Sequence, residues 1–253
     1  MSHLHTVEAS RRRLLIEALA SGVLGNALVS TTWAQGSKEA KGGKVEKLPT
    51  GTTVFRVTGG AFVNDQPMKA DTPFPPNCVV HTALDSEAIF VVGTSAFLLR
   101  ANSKLSLRGP ANIAAGATGA GPGIIQVMSG KVLAVFGGGT RRLQTAAANI
   151  QISGTGVYLE ARAEETYFCL CYGVAEVNAT ADPSAVERVV SRQHDRPLSI
   201  AAQRRSGSPT IRDAPFVNHT DQELALIETL VGRVPPFTHP KTIYEGQRIY
   251  PRR

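Results

Sequence analysis

This 253-residue chain has no long apolar run past its first thirty-odd residues, and in all one tryptophan, three cysteines and few aromatic residues. Each shortage removes a class of protein. A membrane helix needs about 20 consecutive apolar residues, so no span is expected once a leader is removed. No Cys-x-x-Cys is present for a zinc ribbon, and no Cys-x-x-Cys-His for covalent haem attachment. A Gly-x-Ser-x-Gly elbow and a metalloprotease His-Glu pair are missing as well. The glycine runs at 119–123 and 137–139 lack the Lys-Ser/Thr ending of a phosphate loop and read as turns. No enzymatic chemistry is expected. Although the net charge is +7, Lys and Arg are scattered except at residues 11–13, Arg141-Arg142, Arg204-Arg205 and Arg252-Arg253. Without a basic helix face or interleaved aromatics, no nucleic-acid partner is expected.

What the chain does have begins with Ser10-Arg11-Arg12-Arg13-Leu14-Leu15, a mildly apolar run to Val29, and Thr32-Trp33-Ala34. This is the layout of a twin-arginine signal, with Arg11 and Arg12 as the recognition pair and cleavage after Ala34. Residues 1–34 are therefore expected to be a signal peptide that sends the protein to the periplasm, with an uncleaved anchor as the alternative. Residues 35–51, rich in Gly, Lys and Glu, read as a flexible tether.

From residue 52 to about 180 the sequence consists of apolar runs four to six residues long, punctuated by Gly, Pro, Asn and Ser. They lie at 53–57, 88–92, 97–100, 104–107, 124–127, 132–136, 150–152, 157–160 and 167–172. Helical periodicity is missing, and β-branched and aromatic residues fill the runs, so the fold class is all-β. Two segments, 91–98 and 151–159, repeat a strand, Gly-Thr, strand pattern and suggest stacked coils. A short-stranded solenoid or roll and a sandwich both fit.

Residues 181–253 turn to Arg, Pro, Ser and Ala and read as an irregular extension carrying one amphipathic helix at about 220–232. Thr220-Asp221-Gln222-Glu223 has capping-box spacing, Leu224, Ile227 and Val231 share a face with Leu230 beside them, and Gly232 supplies a stop. This helix should dock on the β part, with a basic tail after it.

Several segments in order carry a resemblance: Val79-Val80-His81-Thr82, Ser86-Glu87-Ala88-Ile89-Phe90, Asn102-Ser103-Lys104-Leu105-Ser106-Leu107, Ser129-Gly130-Lys131-Val132, Leu143-Gln144-Thr145, and 150–158 around Gly154-Thr155. Over residues 71–179 the chain resembles the FecR domain, the periplasmic portion of ferric-citrate-type iron-uptake regulators. That resemblance implies a FecR-like all-β fold, a periplasmic location and a non-enzymatic role in envelope signalling. It also implies an envelope protein as partner, engaged by β-augmentation, and no cofactor. Transmembrane members of the family add an N-terminal helical region that engages a sigma factor. Only about ten residues precede Arg11 here, so that mode of action is not expected.

The most chemically suggestive segment is Tyr167-Phe168-Cys169-Leu170-Cys171-Tyr172-Gly173, with His194-Asp195 after it. Two cysteines two apart on a strand share a face. With His194, Cys169 and Cys171 offer ligands to a transition metal or to haem iron. Two other readings stand beside this one: a disulfide from Cys78 to Cys169 or Cys171, and plain apolar core. His194-Asp195 alone reads as a salt-bridged loop.

Overall fold

The computed structural model describes residues 46–50, 52–109 and 121–237. The expected signal residues Arg11, Arg12 and Ala34, most of the tether and the basic tail lie outside them. Fourteen strands form one open sheet, followed by one helix: β1 Val54–Thr58, β2 Ala61–Val63, β3 Gln66–Pro67, β4 Cys78–Thr82, β5 Glu87–Val92, β6 Ser95–Leu99, β7 Lys104–Arg108, β8 Ile124–Val135, β9 Thr140–Gln144, β10 Ala148–Ala161, β11 Glu165–Ala179, β12 Val186–Ser191, β13 Leu198–Ala201, β14 Ile211–Asp213 and α1 Asp221–Leu230. The all-β class with one C-terminal helix is what the sequence predicts. Among the described residues no helix is long and apolar enough to cross a membrane.

The long strands β8, β10 and β11 organise the sheet, because each serves two different sets of neighbours. The ends of β10 and β11 nearest their shared turn pair with β8 and β13, and with them run β6, β5, β1 and β14. Their other ends pair with β9 and β12, alongside the start of β8 and then β7, β4, β2 and β3. Burial changes along each strand at the crossing. Residues 157–161 of β10 and 166–172 of β11 are buried without interruption, while 148–153 of β10 alternate between buried and exposed. Continuous burial marks a sheet half covered on both faces, and alternation marks one with a face in water. The first is called the covered half below and the second the open half.

Glycines sit at the crossings. Gly154, at φ 57°, lies in a bulge where the β10 register with β11 shifts, opposite Gly173 at φ 101°. Gly130, at φ 87°, marks the step in β8. The repeat seen in sequence thus has two structural meanings: Gly93-Thr94 is the turn of the β5–β6 hairpin, whereas Gly154-Thr155 bends a single strand. Every pairing but β8 with β9 is antiparallel, so the expected stacked coils are replaced by a bent, folded-over sheet.

Two apolar clusters result. The larger draws on both halves, with Phe90, Phe97, Leu159 and Phe168 from the covered one and Val80, Leu107, Ile150 and Val177 from the open one. A ladder of rings, Phe74, Phe90, Phe97 and Phe136, runs through it at centroid spacings of 4.9, 5.1 and 5.8 Å. The smaller cluster lies on the other face of the covered half, where Ile89, Leu98, Leu133, Tyr158 and Tyr172 meet Leu224, Ile227 and Leu230 of α1.

The helix begins as its capping box predicts: Thr220 Oγ1 accepts from the Glu223 amide at 3.2 Å, and Glu223 Oε2 accepts from the Thr220 amide at 3.0 Å. The other Glu223 oxygen receives Arg100 at 2.5 Å, and Arg100 also reaches Glu87 at 2.6 Å. At the far end the buried Glu228 carboxylate accepts from Tyr172 Oη and from Arg233 Nε at 2.8 Å. The extension is less irregular than expected. Residues 186–213 add three strands to the sheet, their signal blurred by the Arg, Asp and Pro between short apolar stretches.

Gly130 packs against the turn before β7: a Cβ there would lie 2.4 Å from Ser103 Cα, on a backbone that side chains resist. Gly130→Ala should therefore lower stability by about 2 kcal/mol or more, whereas Gly138→Ala, which meets nothing within 4 Å, should stay near the parent in urea denaturation. Burial disfavours the charged form of Glu160, yet hydrogen bonds from Tyr158 and Asn218, the charge of Lys131 and a bond from Arg162 outweigh it and hold the pKa below its ordinary value. A depressed carboxylate stabilises the fold above its unfolded pKa and loses that contribution as pH falls through its folded one. Glu160→Gln should thus be less stable than the parent at neutral pH, with the gap closing in acid-titration denaturation as pH falls below the ordinary carboxylate range.

Candidate functional site

Strand alternation on β11 sends Phe168 and Leu170 into the larger core and Cys169 and Cys171 to the opposite face, under the helix side of the molecule. Both sulfurs are fully buried. His194 arrives from the loop between β12 and β13. It sits in the left-handed region at φ 53°, and its amide donates to Cys171 O at 3.0 Å, which pins the loop to the strand. A fourth group, His219, comes from the segment just before α1. That segment is stapled down by Tyr167, whose hydroxyl donates to Pro215 O at 2.9 Å and accepts from the Val217 amide at 3.3 Å, and by Asn218, which donates to Glu160 at 2.6 Å. The His219 ring stacks on Tyr158 with centroids 4.4 Å apart.

The donor atoms of Cys169, Cys171, His194 and His219 all lie within 4.8 Å of one another. Cys169 Sγ is 3.5 Å from His194 Nδ1, Cys171 Sγ is 3.7 Å from His219 Nε2, and the two nitrogens are 3.1 Å apart. Zinc bound at ordinary lengths, with tetrahedral angles, would hold its sulfur and nitrogen ligands about 3.5 Å apart and its two nitrogens about 3.3 Å apart. These three separations are of the size that a tetrahedral zinc ion requires of its ligands.

Outer contacts fix which ring nitrogen faces inward. His194 Nε2–H donates to Asp221 Oδ1 at 2.9 Å, and Gln193 holds the second Asp221 oxygen at 2.9 Å. His219 Nδ1–H donates to Val217 O at 2.8 Å. With the outer nitrogens donating, Nδ1 of His194 and Nε2 of His219 turn lone pairs toward each other, an arrangement that requires a cation between them. In the absence of metal a proton serves. Burial lowers the His194 pKa, but the bonds to Asp221 and Cys169 prevail and raise it to about 9. The hydrogen bond from Cys171 pulls Cys169 down against its burial, helped by the two histidines, while burial pushes Cys171 well up. One thiolate, one thiol and one imidazolium make a neutral site. Two thiolates and a divalent ion make an equally neutral one, which suits a place closed to water.

Of the residues singled out in sequence, Cys169, Cys171 and His194 are thus brought together. Asp195 is not a partner of its neighbouring histidine; it accepts from the Arg192 amide at 2.6 Å, and Asp221 takes that role. The alternative, a disulfide from Cys78 to Cys169 or Cys171, is not formed. All three thiols are free, and Cys78 is buried in the larger core, on the other side of the sheet from Cys169 and Cys171. Burial raises its pKa to about 11, the behaviour of an inert core thiol. His219 escaped notice because it is 48 residues from Cys171. The available signal was its place directly before a capping box, where a helix start can be aimed.

Cys169, His194 and Asp221 also line up as thiol, imidazole and carboxylate, the order of a thiol hydrolase. Here the thiol has no exposed surface and its free side is filled by Cys171 and His219. Over the two imidazoles lies Phe216, its ring 4.6 Å from each. A substrate carbonyl has no approach to the sulfur.

No protein-family model and no curated protein sequence matches this chain. Two crystal structures of a "putative anti-sigma factor" from Parabacteroides distasonis ATCC 8503 are similar to it, with TM-scores of 0.41 and 0.40 and 12% identity. The match covers 54% of this chain and 58% of that one, a likeness too slight to carry any conclusion about this protein's role.

Proposed function

We propose that this all-β domain is a metal-binding module that holds one divalent ion of tetrahedral preference, Zn²⁺ above all, on Cys169, Cys171, His194 and His219. The observation that carries the reading is the facing pair of imidazole nitrogens, 3.1 Å apart and each turned inward by an outer acceptor. Two sulfurs and two nitrogens suit zinc better than calcium or magnesium, which take oxygen. Charge favours a divalent ion over a monovalent one, since two thiolates then leave nothing uncompensated. Four protein donors around one point leave no plane for a porphyrin, so a bare ion is preferred to haem. They also leave no open coordination position, the mark of a structural or reporting site and not a catalytic one.

Export fits this reading. A chain that carries Arg11-Arg12 as a twin-arginine signal crosses the membrane folded, and would take up its ion beforehand. A second reading, a protein-binding envelope module, is supported by β12. Among the described residues that strand pairs on one side only, and it shows Val186 and Val190 at 50% and 61% exposure beside Val174, a combination suited to adding a partner's strand.

The test is metal content and metal titration of the purified protein. Wild type should hold one zinc per chain, and its cobalt form should show tetrahedral d–d bands with thiolate charge transfer; Cys169→Ser/Cys171→Ser should show neither. Asp221→Ala, which leaves all four ligands in place, should bind one ion about 10- to 100-fold more weakly. Substoichiometric zinc in a folded wild-type protein with free thiols would overturn the reading.

A further inference from the structure

The four ligands do not belong to one element. Cys169 and Cys171 are part of the sheet, whereas His219 rides on the segment that leads into α1 and Asp221, which orients His194, is the first residue of that helix. Resting on the metal reading above, we infer that the bound ion is a latch: it decides whether residues 214–223 and the start of α1 stay docked on the covered half of the sheet.

The helix is ten residues long, too short to persist by itself in water. It stays folded because Leu224, Ile227 and Leu230 are pressed on Ile89, Leu98, Leu133 and Tyr172. Its two ends are held differently. The C-terminal end is tied by Glu228 to Tyr172 and Arg233, and Arg233 donates onward to Thr94 O at 3.0 Å. These hydrogen bonds involve none of the four ligands, although Phe237 packs against both Tyr172 and His194, with ring centroids 6.2 and 5.9 Å away. At the N-terminal end the ties are Arg100 to Glu223, His194 to Asp221, the Asn218 and Tyr167 bonds, and the ligand cluster itself. Within that cluster His219 and His194 meet at 3.1 Å, and without the ion a single N–H···N hydrogen bond is left between them where four metal bonds would hold the cluster. Phe216, 48% exposed, caps the cluster from the solvent side, its ring packed on both imidazoles. Removing the ion therefore weakens one end of the strap and leaves the other anchored. Local opening confined to residues 214–223 follows, with Tyr158 and Tyr167 uncovered beneath. Low-stability segments of this kind open without unfolding the domain, and an opening set by ion occupancy converts metal availability into exposure of a surface.

Hydrogen exchange of the full chain, zinc-loaded and after chelation, tests this. Zinc removal should speed exchange of amides in 214–223 at least tenfold, leaving 95–99 and 130–135 unchanged, and should open a protease cut near Phe216. In His219→Ala the same amides should exchange fast with or without zinc. Equal protection of 214–223 in the two wild-type states overturns the latch, as does loss of protection throughout the sheet on chelation, which would make the ion a staple of the whole fold. Failure of the underlying metal reading is separately visible: no zinc would bind at all in the titration, whereas a failed latch shows stoichiometric zinc and an indifferent strap.

Discussion

A sheet half that is apolar on both faces cannot leave one of them in water, and the chain beyond β11 is arranged around that constraint. The covered half presents Phe90, Phe97 and Leu159 to the inner core and Ile89, Leu98, Leu133 and Tyr158 to the other side. Burying a large apolar side chain is worth about 1.5–3 kcal/mol, so an uncovered second face would cost more than a domain of this size has to spare. One short helix closes it. Because the helix is marginal alone, polar contacts at its two ends fix its position: Glu223 with Arg100 at the start, Glu228 with Tyr172 and Arg233 at the finish.

The ligand cluster lies at the edge of this cover, and its chemistry follows from that place. Cys169 and Cys171 face outward on β11 because Phe168 and Leu170 face inward; the alternation that builds the core also builds half of the site. His219 enters because the strand-to-helix connection must cross β11 to lay α1 down. The two histidines are then oriented by acceptors that the same elements bring, Asp221 at the first helical position and Val217 O on the strap. Neutrality in both protonated and metal-bound forms explains how four polar groups are tolerated among apolar neighbours.

Much of the fold was legible because its causes are local. Short apolar runs marked β5, β6 and β7, and the capping box at Thr220 and Glu223 placed α1 to within a residue or two. Length was harder. The runs at 124–127 and 132–136 are two parts of β8, and those at 150–152 and 157–160 two parts of β10, because a glycine that ends a strand and one that bends it look alike in sequence. Gly93 does the first and Gly154 the second. Strands β12 to β14 were hidden since charged residues interrupt β12 and β14, as Glu187, Arg188, Arg212 and Asp213 do, and β13 is only four residues long. Cys-x-Cys and His194 were visible as chemistry, yet their meeting with His219 depends on the path of a connection that no local pattern records.

The same path separates what the site does from what its parts might suggest. Thiol, imidazole and carboxylate in series would be an activated nucleophile if the sulfur had space in front of it. Here that space is taken by a second thiol and a second imidazole, and the four donor atoms lie within 4.8 Å of one another. Activation and coordination use the same lowered thiol and the same oriented ring; what distinguishes them is the fourth residue. His219 therefore carries the functional meaning of the cluster, and since it is also the one ligand on the strap that covers the sheet, binding of an ion and position of the strap are coupled by geometry.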